Sequence, residues 1–333
     1  MKVLIAGPIA GGSLPVAKST AAAFENLGYE SFFLDFSNFA DQFRSAGAGD
    51  DVQKAALIST LKRVLVDRIE RQKPDLLLGI AQSPLSDGTL LAAFRRSGLI
   101  TAYWFVEDFR VQTYWKHIAA NFDIFFSIQT DNFRTAMAEA GLKNHYYLPL
   151  ACDIHPESFP NPSGPRMQIS FMGAPYPNRV RILGRLARFG VKIFGEGWDT
   201  HPVPGVVPGA RRITQSEARS IYRNTDVNLN IHSSPDPLAL GGGDFVNPRT
   251  FELAGMGCFQ LIDKRELLPP LYTQEEIVRF GSEAELIEKI EYYLHHEDER
   301  RKIALNAQRR TLREHLYEHR VIEMMNALGN LCG

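Results

Sequence analysis

Short apolar runs alternate with amphipathic segments along the first half of the chain. The apolar runs predict six strands, at residues 3–6, 30–34, 75–80, 100–106, 123–128 and 145–148. Apolar positions at helical spacing over 16–27 and 52–72 predict helices between strands. Strands that alternate with helices in this way predict an α/β fold, with a parallel sheet covered on both faces.

The same alternation resumes after residues 153–166, which are rich in proline and show no periodicity. Strands are predicted at residues 168–172, 191–194, 227–231, 258–262 and 277–280. Helices are predicted at 178–189, after capping boxes at 214–217 and 282–285, and at 316–328. The sequence therefore predicts two Rossmann-like domains, at 1–152 and 167–315, with a linker at 153–166 and a last helix within 316–333.

Composition is consistent with two domains and argues against some classes of binding partner. The 333 residues, 44% of them hydrophobic, are enough for two domains with separate cores. The net charge of −1 does not favour nucleic acid or an anionic membrane surface. Cys152, Cys258 and Cys332 are too widely spaced for a disulfide or metal framework, and no apolar run approaches the roughly 20 residues of a membrane span. We therefore expect a cytoplasmic protein without a transmembrane segment.

Residues 241–263 carry the strongest candidate chemistry. Three glycines precede a helix start at which Asn247 suits the N-cap and Pro248 suits the first turn. Unpaired N–H groups at a helix N-terminus attract phosphate, and Arg249 adds a cation beside them. Glu252, one turn further on, is placed to accept hydrogen bonds from sugar hydroxyls. The segment therefore predicts a nucleotide-sugar site.

This segment resembles the donor-binding motif of two-domain (GT-B) glycosyltransferases, and especially the family of the spore-maturation protein CgeB. That family has Asn-Pro-Arg-x-Phe-Glu, then small residues, then Gly-x-Phe-Gln. The matching residues are Asn247, Pro248, Arg249, Phe251, Glu252, Gly257, Phe259 and Gln260. The resemblance implies two Rossmann-like parallel-sheet domains that face each other across a cleft. It also implies that the acceptor binds on the N-terminal side, that the donor binds on the C-terminal side, and that the last helix packs back on the first domain.

The broader retaining GT-B group has a Glu-x7-Glu motif. Its second Glu contacts the nucleotide ribose, and its first lies near the donor sugar. The resemblance implies the ribose role for Glu252 and the sugar-side role for Asp244, which is eight residues earlier and shorter than the Glu of the motif.

Other strand ends in the second half supply further candidates for donor binding. The candidates are Gly173, Arg179, Gly195, Trp198, Arg212, Ile213 and His232. The resemblance implies that Arg179 lies near the diphosphate, although an exposed helix arginine is the alternative. Trp198 is interpreted either as a ring that stacks on the base or as a packed loop residue. His232 is interpreted either as a donor contact or as a solvent-facing loop residue.

Glu107 and Asp108 directly follow the strand predicted at 100–106. Ligands of parallel sheets bind outside the carboxyl ends of the strands, so both carboxylates are expected to face the site. In an inverting enzyme one of them would be the general base for the acceptor hydroxyl. In a retaining enzyme they would orient the acceptor, and a surface acidic pair is the remaining alternative.

Residues 12–19 are one residue from a Walker A loop, because Ala17 stands where the second glycine belongs. Pro15 removes a backbone N–H that a phosphate cradle uses, and no apolar strand ending in Asp stands out as a Walker B partner. We therefore interpret residues 7–12 as a tight strand–helix turn, which the GT-B resemblance would put beside the cleft.

Glycosyl transfer leaves negative charge on the departing diphosphate. The chain has no Asp-x-Asp, the metal-binding motif of the other main glycosyltransferase fold, so we expect neither a metal nor a cofactor. The groups expected to meet the charge are Gly242, Gly243, Asn247, Arg249 and Arg179. We expect a UDP-linked hexose or N-acetylhexosamine as donor and retention of configuration at the anomeric carbon. A glycan, a protein and a small molecule all stay open as acceptor. A sugar-nucleotide 2-epimerase and a non-catalytic nucleotide-sugar-binding protein are the alternative functions.

Overall fold

The structure of the chain is a computed structural model that describes residues 1–47, 50–153, 165–207 and 211–332. The predicted linker at 153–166 therefore lies almost wholly outside the described residues. Two compact units are present. The first contains Met1–Pro149 and the final helix, and the second contains Leu150–Leu316.

Six parallel strands form the sheet of the first unit. They are β1 (Lys2–Ala6), β2 (Glu30–Leu34), β3 (Leu76–Ile80), β4 (Ile100–Phe105), β5 (Ile124–Ser127) and β6 (His145–Tyr147). Their order is β2-β1-β3-β4-β5-β6. Every residue of β3 is buried, as is typical of a central strand covered by helices on both faces.

Helices connect these strands. They are α1 (Leu14–Asn26), α2 (Ala40–Gly47), α3 (Asp51–Gln72), α4 (Gly88–Arg96), α5 (Trp115–Ile118) and α6 (Asp131–Glu139). Asp50 and Asp87 cap α3 and α4 by accepting hydrogen bonds from backbone N–H groups of the first turn. The core between these helices and the sheet is rich in aromatic residues, with Tyr103 stacked on Phe125 at a ring-centroid distance of 5.3 Å.

The second unit contains a parallel sheet of five strands. They are β7 (Met167–Met172), β8 (Lys192–Phe194), β9 (Thr225–Asn230), β10 (Gln260–Asp263) and β11 (Val278–Phe280). The strand order is β11-β10-β9-β7-β8. The helices of the unit are α7 (Pro177–Arg185), α8 (Gln215–Arg223), α9 (Pro248–Gly255), α10 (Glu283–His295) and α11 (Glu297–Glu314). Both units are therefore Rossmann-like.

The last helix, α12 (Tyr317–Cys332), belongs to the first unit. Its Tyr317 ring packs edge-on against Trp104 of β4 at a centroid distance of 6.1 Å. Arg320 Nε donates to the Pro149 carbonyl at 2.9 Å. No helix within the described ranges is both long and apolar enough to cross a membrane.

The sequence predicts local structure at three segments with different success. Residues 36–47, where the sequence analysis places neither a helix nor a strand, form a 3₁₀ turn at Phe36–Phe39 followed by α2. The capping box expected at 214–217 is present, with Thr214 and Glu217 bonded reciprocally. The one expected at 282–285 is incomplete, because the Glu285 carboxylate accepts the N–H of Gly281 and not that of the N-cap Ser282.

Candidate functional site

The carboxyl ends of the second sheet bring several of the predicted residues together. The five strands are parallel, so the loops after β7, β8, β9 and β10 all leave the same edge of the sheet. Helix α9 begins in the segment that returns from β9. This edge is where parallel sheets bind ligands.

Asn247 caps α9 as expected. Its side chain accepts the N–H of Thr250 at 3.1 Å, and Pro248 follows as the first helical residue. The backbone N–H of Asn247 itself is taken by His232 Nε2 at 3.1 Å. The N–H of Arg249 has no partner among the residues that the structure describes. It is therefore a donor that the first turn of α9 can offer to an anion.

A network of amide side chains fixes the start of α9 to the neighbouring strands. Asn247 Nδ2 donates to Asn230 Oδ1 at 2.8 Å, and Asn230 Nδ2 donates to Thr250 Oγ1 and to Gln260 Oε1, each at 3.0 Å. Gln260 Nε2 donates to the Thr250 carbonyl at 3.0 Å. The Asn and the final Gln of the family pattern are therefore joined in one network that fixes α9 to β9 and β10.

Arg249 and Glu252 project from the same face of α9, away from this network. Both are half-buried. Arg249 Nε donates to the hydroxyl of buried Tyr222, on α8, at 2.9 Å. Glu252 forms no hydrogen bond or ion pair with any described residue. Burial raises the pKa of the Glu252 carboxyl, and the nearby charge of Arg249 partly offsets that effect. The turn thus presents a cation that is held in place and a carboxylate that is available to a ligand.

Arg179 on α7 is buried, so the alternative interpretation of an exposed helix arginine is wrong. Its Nε and Nη2 donate to the Ile231 carbonyl at 3.0 and 2.8 Å, and its guanidinium lies 5.4 Å from the ring centroids of Phe171 and Tyr176. Within the described residues no carboxylate forms an ion pair with it. Burial and the positive charge of Arg249 lower the pKa of Arg179 to about 9. The two cations are thus close enough to interact, and a bound anion would relieve their repulsion.

Gly173 and Gly195 end adjacent strands and touch each other through the backbone. A Cβ at Gly195, whose φ is +134°, would lie 2.5 Å from the Gly173 carbonyl oxygen. Trp198 Nε1 donates to that same oxygen at 2.7 Å, and the Trp198 ring is 1% exposed. The ring therefore belongs to the core of the unit, and its surface is not free for a base to stack on. Its observed contact is with the Gly173 loop.

His232 is also buried, at 1% exposed, so the expectation of a solvent-facing loop residue is wrong. Its Nδ1 lies 2.8 Å from Asp263 Oδ1, and its ring packs edge-on against Phe245. Burial lowers the pKa of His232 to about 4, against the opposing effect of Asp263. The charged groups that face the ring are Asp263, Arg265 and Arg179.

The glycine segment before α9 has three successive left-handed residues, Gly241, Gly242 and Gly243, with φ of +84°, +77° and +90°. This conformation is open to glycine and costly for other residues. The Gly242 N–H donates to the Lys264 carbonyl at 2.8 Å, so it is not free to bind a phosphate as expected. Arg265 donates to the Gly242 carbonyl. Asp244, the candidate for the donor sugar, is 2% exposed.

Arg212 and Ile213 lie on the segment before α8. Arg212 is exposed and Ile213 is half-buried. No described contact joins either side chain to Arg179, Arg249 or Glu252. The structure therefore does not bring these two candidates together with the others.

In the first unit, Glu107 and Asp108 follow β4 as expected but differ in their surroundings. Half-buried Glu107 accepts hydrogen bonds from Gln82 Nε2 and from the Tyr114 hydroxyl, both at 2.7 Å. Burial raises the pKa of Glu107. Asp108 pairs with Arg110 at 2.9 Å, and the net shift of its pKa is downward although burial opposes it. Glu107 is thus the better placed of the two to hold a proton.

Sequence reasoning missed Tyr222, Asp263 and Arg265. Asp263 is a carboxylate at the end of an apolar run, the same signal that identified Glu107 and Asp108. Arg265 follows it by two residues. Tyr222 gave no signal, because its hydroxyl meets Arg249 only through the packing of α8 beside α9.

Known proteins resemble the chain in part of its sequence and in its fold. A profile of the family described as "Glycosyl transferase-like" matches residues 179–326. The spore protein CgeB of Bacillus subtilis (strain 168) is 24% identical over 181 residues, which cover 50% of this chain and 56% of that protein. The matched region thus spans about half the length of that curated relative.

Solved structures match over nearly the whole chain. A glycosyltransferase from Rickettsia africae is 10% identical with a TM-score of 0.63, covering 98% of this chain and 96% of its own. HepE from Anabaena, solved in complex with UDP and glucose, is 12% identical with a TM-score of 0.62, covering 98% and 100%. At such low identity these matches concern the fold, and the two parallel-sheet units form the GT-B fold.

Proposed function

We propose that this CgeB-like member of the GT-B glycosyltransferases transfers a sugar from a nucleoside-diphosphate sugar to an acceptor. The observation that carries the proposal is the face of α9 that bears Arg249 and Glu252. There, Arg249 is held by Tyr222, and Glu252 lies one turn away without a described partner. A diphosphate followed by a ribose needs this combination of a cation and a hydrogen-bond acceptor.

The transfer breaks the bond between the sugar C1 and the diphosphate oxygen, so negative charge grows on the departing phosphate. Arg249 would meet that charge with its guanidinium and its backbone N–H, and buried Arg179 would add a second positive charge nearby. Each charge-assisted hydrogen bond contributes about 1.5–3 kcal/mol. Two or three of them therefore supply a sizeable part of the lowering of the barrier.

Glu252 would accept hydrogen bonds from the ribose hydroxyls, and Asp244 would lie on the sugar side. UDP is the proposed carrier, because the structurally similar HepE binds UDP. We further propose that the donor sugar is a hexose or N-acetylhexosamine and that its anomeric configuration is retained. The reaction would need no divalent metal, since the arginines take the role that a metal has on an Asp-x-Asp motif.

Calorimetry with UDP, GDP, TDP and ADP, each with and without EDTA, tests the donor site. The wild-type protein is compared with Glu252→Ala and with a matched control, Glu288→Ala, at an exposed position on α10. We expect one diphosphate to bind equally well in EDTA, to bind more weakly to Glu252→Ala, and to be unaffected by Glu288→Ala. Absence of binding by all four diphosphates, or binding indifferent to Glu252, would contradict the proposal.

The wild type incubated with the sugar nucleotide alone tests the alternative activity. Formation of the C2 epimer without any acceptor would identify an epimerase. Tight binding with neither epimer nor transfer to any acceptor would identify a non-catalytic binding protein.

A further inference from the structure

One buried carboxylate is linked through two other side chains to the glycine segment and to the start of α9. Asp263, at the end of β10, is 1% exposed. Its Oδ1 accepts the backbone N–H of His232 at 2.9 Å and the ring Nδ1–H at 2.8 Å. Its Oδ2 is paired with Arg265, which also donates to the Gly242 carbonyl. Asp263 therefore reaches the glycine segment through Arg265.

The imidazole of His232 extends the same linkage to α9. A backbone N–H can only donate, so the His232 Nε2 that faces the Asn247 N–H must be an acceptor. The proton of the neutral ring is therefore on Nδ1, where it points at Asp263. In a doubly protonated ring, the Nε2–H would face the Asn247 N–H, and two donors cannot form a hydrogen bond with each other. The linkage from Asp263 to Asn247 thus requires neutral His232 in one particular tautomer.

The linkage ends at Asn247, close in the chain to the donors that the proposed function uses. Asn247 is followed after one residue by Arg249, whose N–H and guanidinium are the proposed contacts to the diphosphate. The amide network of Asn230, Thr250 and Gln260 already anchors the helix to the sheet. The His232 bond acts on a different atom, the N–H of the N-cap residue, and so fixes the direction in which the chain enters α9.

We propose that His232 and Asp263 are positioning residues that aim the first turn of α9, and the glycine segment before it, at the diphosphate of the donor. This inference rests on the proposed function, since it concerns the same site. His232 and Asp263 do not themselves contact the ligand. Their substitution should therefore affect the binding only of ligands that carry the phosphates.

Two substitutions of His232 separate the two ends of the imidazole. His232→Asn keeps a donor near Asp263 but does not reach Asn247, whereas His232→Gln carries an oxygen far enough out to accept the Asn247 N–H. Calorimetry would compare UDP with uridine, which lacks phosphate. His145→Asn, at a half-buried histidine of the first unit, is the matched control.

We expect His232→Asn to weaken UDP binding about tenfold or more, the effect of one misplaced charge-assisted hydrogen bond. Uridine binding should change less than about twofold, and His232→Gln should recover most of the UDP affinity. Equal losses for UDP and uridine, or no loss for UDP, overturn the inference while the proposed function stands. A wild type that binds no nucleoside diphosphate overturns both.

A measurement on the unmodified protein covers the case in which His232→Asn does not fold. In the ¹⁵N spectrum of histidine-labelled wild type, His232 should stay neutral from pH 8 to pH 5 with its proton on Nδ1.

His145 gives an internal contrast, because its pKa is also lowered to about 4. Its Nε2 must donate to Ser127 Oγ, since that hydroxyl gives its own proton to the Gln129 carbonyl. UDP should shift the His232 signals and leave those of His145 in place. A His232 proton on Nε2, or indifference of His232 to UDP, overturns the inference.

Discussion

Replacing Arg249 with glutamine is expected to weaken UDP binding and to leave uridine binding and the fold nearly unchanged. The guanidinium lies on the first turn of α9, half-buried, and its one described hydrogen bond joins Nε to the Tyr222 hydroxyl. Glutamine is about as good a helix former as arginine, so the change removes the charge without disturbing the helix. The asparagine cap and the amide network beneath α9 do not involve this side chain.

The size of the effect follows from the contact that is lost. A hydrogen bond to a charged group contributes about 1.5–3 kcal/mol, and a tenfold change in affinity corresponds to about 1.4 kcal/mol. The dissociation constant for UDP should therefore rise by about 10- to 100-fold. Loss of the bond to Tyr222 should lower the free energy of unfolding by about 1 kcal/mol, which leaves the protein folded.

Isothermal titration with uridine, UMP and UDP measures the dependence on phosphate directly. The loss of affinity in Arg249→Gln should grow from uridine to UDP. The matched control is Arg309→Gln, at an exposed position on α11, for which all three affinities should equal those of the wild type. An equal loss for uridine and UDP, or an unchanged UDP affinity, would refute the assignment of Arg249 to the diphosphate.

The surrounding structure makes three further predictions. Tyr222→Phe should weaken UDP binding about 3- to 10-fold by releasing Arg249, and a titration that matches wild type would contradict this role. Gly195→Ala should lower the melting temperature, because a left-handed alanine costs about 1–3 kcal/mol before its steric clash is added. The control Gly184→Ala, in open space within α7, should stabilise by about 0.5–1 kcal/mol, and equal melting shifts would refute the contrast. The folded pKa of His232 is about 4 and its unfolded pKa is about 6.5, so its stabilising effect is complete above pH 6.5 and is lost as the pH falls toward 4. Urea unfolding should show a loss on the order of 3 kcal/mol over that range, and His232→Gln should remove this share of the slope.

Most strands were predictable because strands of a parallel sheet covered by helices are short, largely apolar runs between turns. The run expected at 30–34 is β2, and the runs expected at 100–106 and 168–172 differ from β4 and β7 by one residue. Two short helices gave no usable signal. In α6 only Phe133 and Met137 are buried, and in α2 only Ala46 is, so neither has an apolar stripe that repeats over several turns.

The residues of the candidate site also differ in whether a local sequence signal identifies them. Asn247, Arg249 and Glu252 could be identified because capping and helical spacing are local properties, set within one or two turns. The positions of His232 and Trp198 could not, because their partners are distant in sequence. Asp263 is 31 residues from His232, and Gly173 is 25 residues from Trp198.

The sequence by itself determined the alternating α/β organisation, the cap of α9, and the two side chains that this helix presents. These features follow from short-range sterics, backbone hydrogen bonding and the spacing of apolar residues. Only the tertiary structure decided that Arg179 is a buried cation near Arg249, that Tyr222 holds Arg249, and that Asp263 is bonded through His232 to the start of α9. Those contacts depend on how parallel strands align their carboxyl ends. That alignment is set by the packing of the whole sheet, and no local stretch of sequence records it.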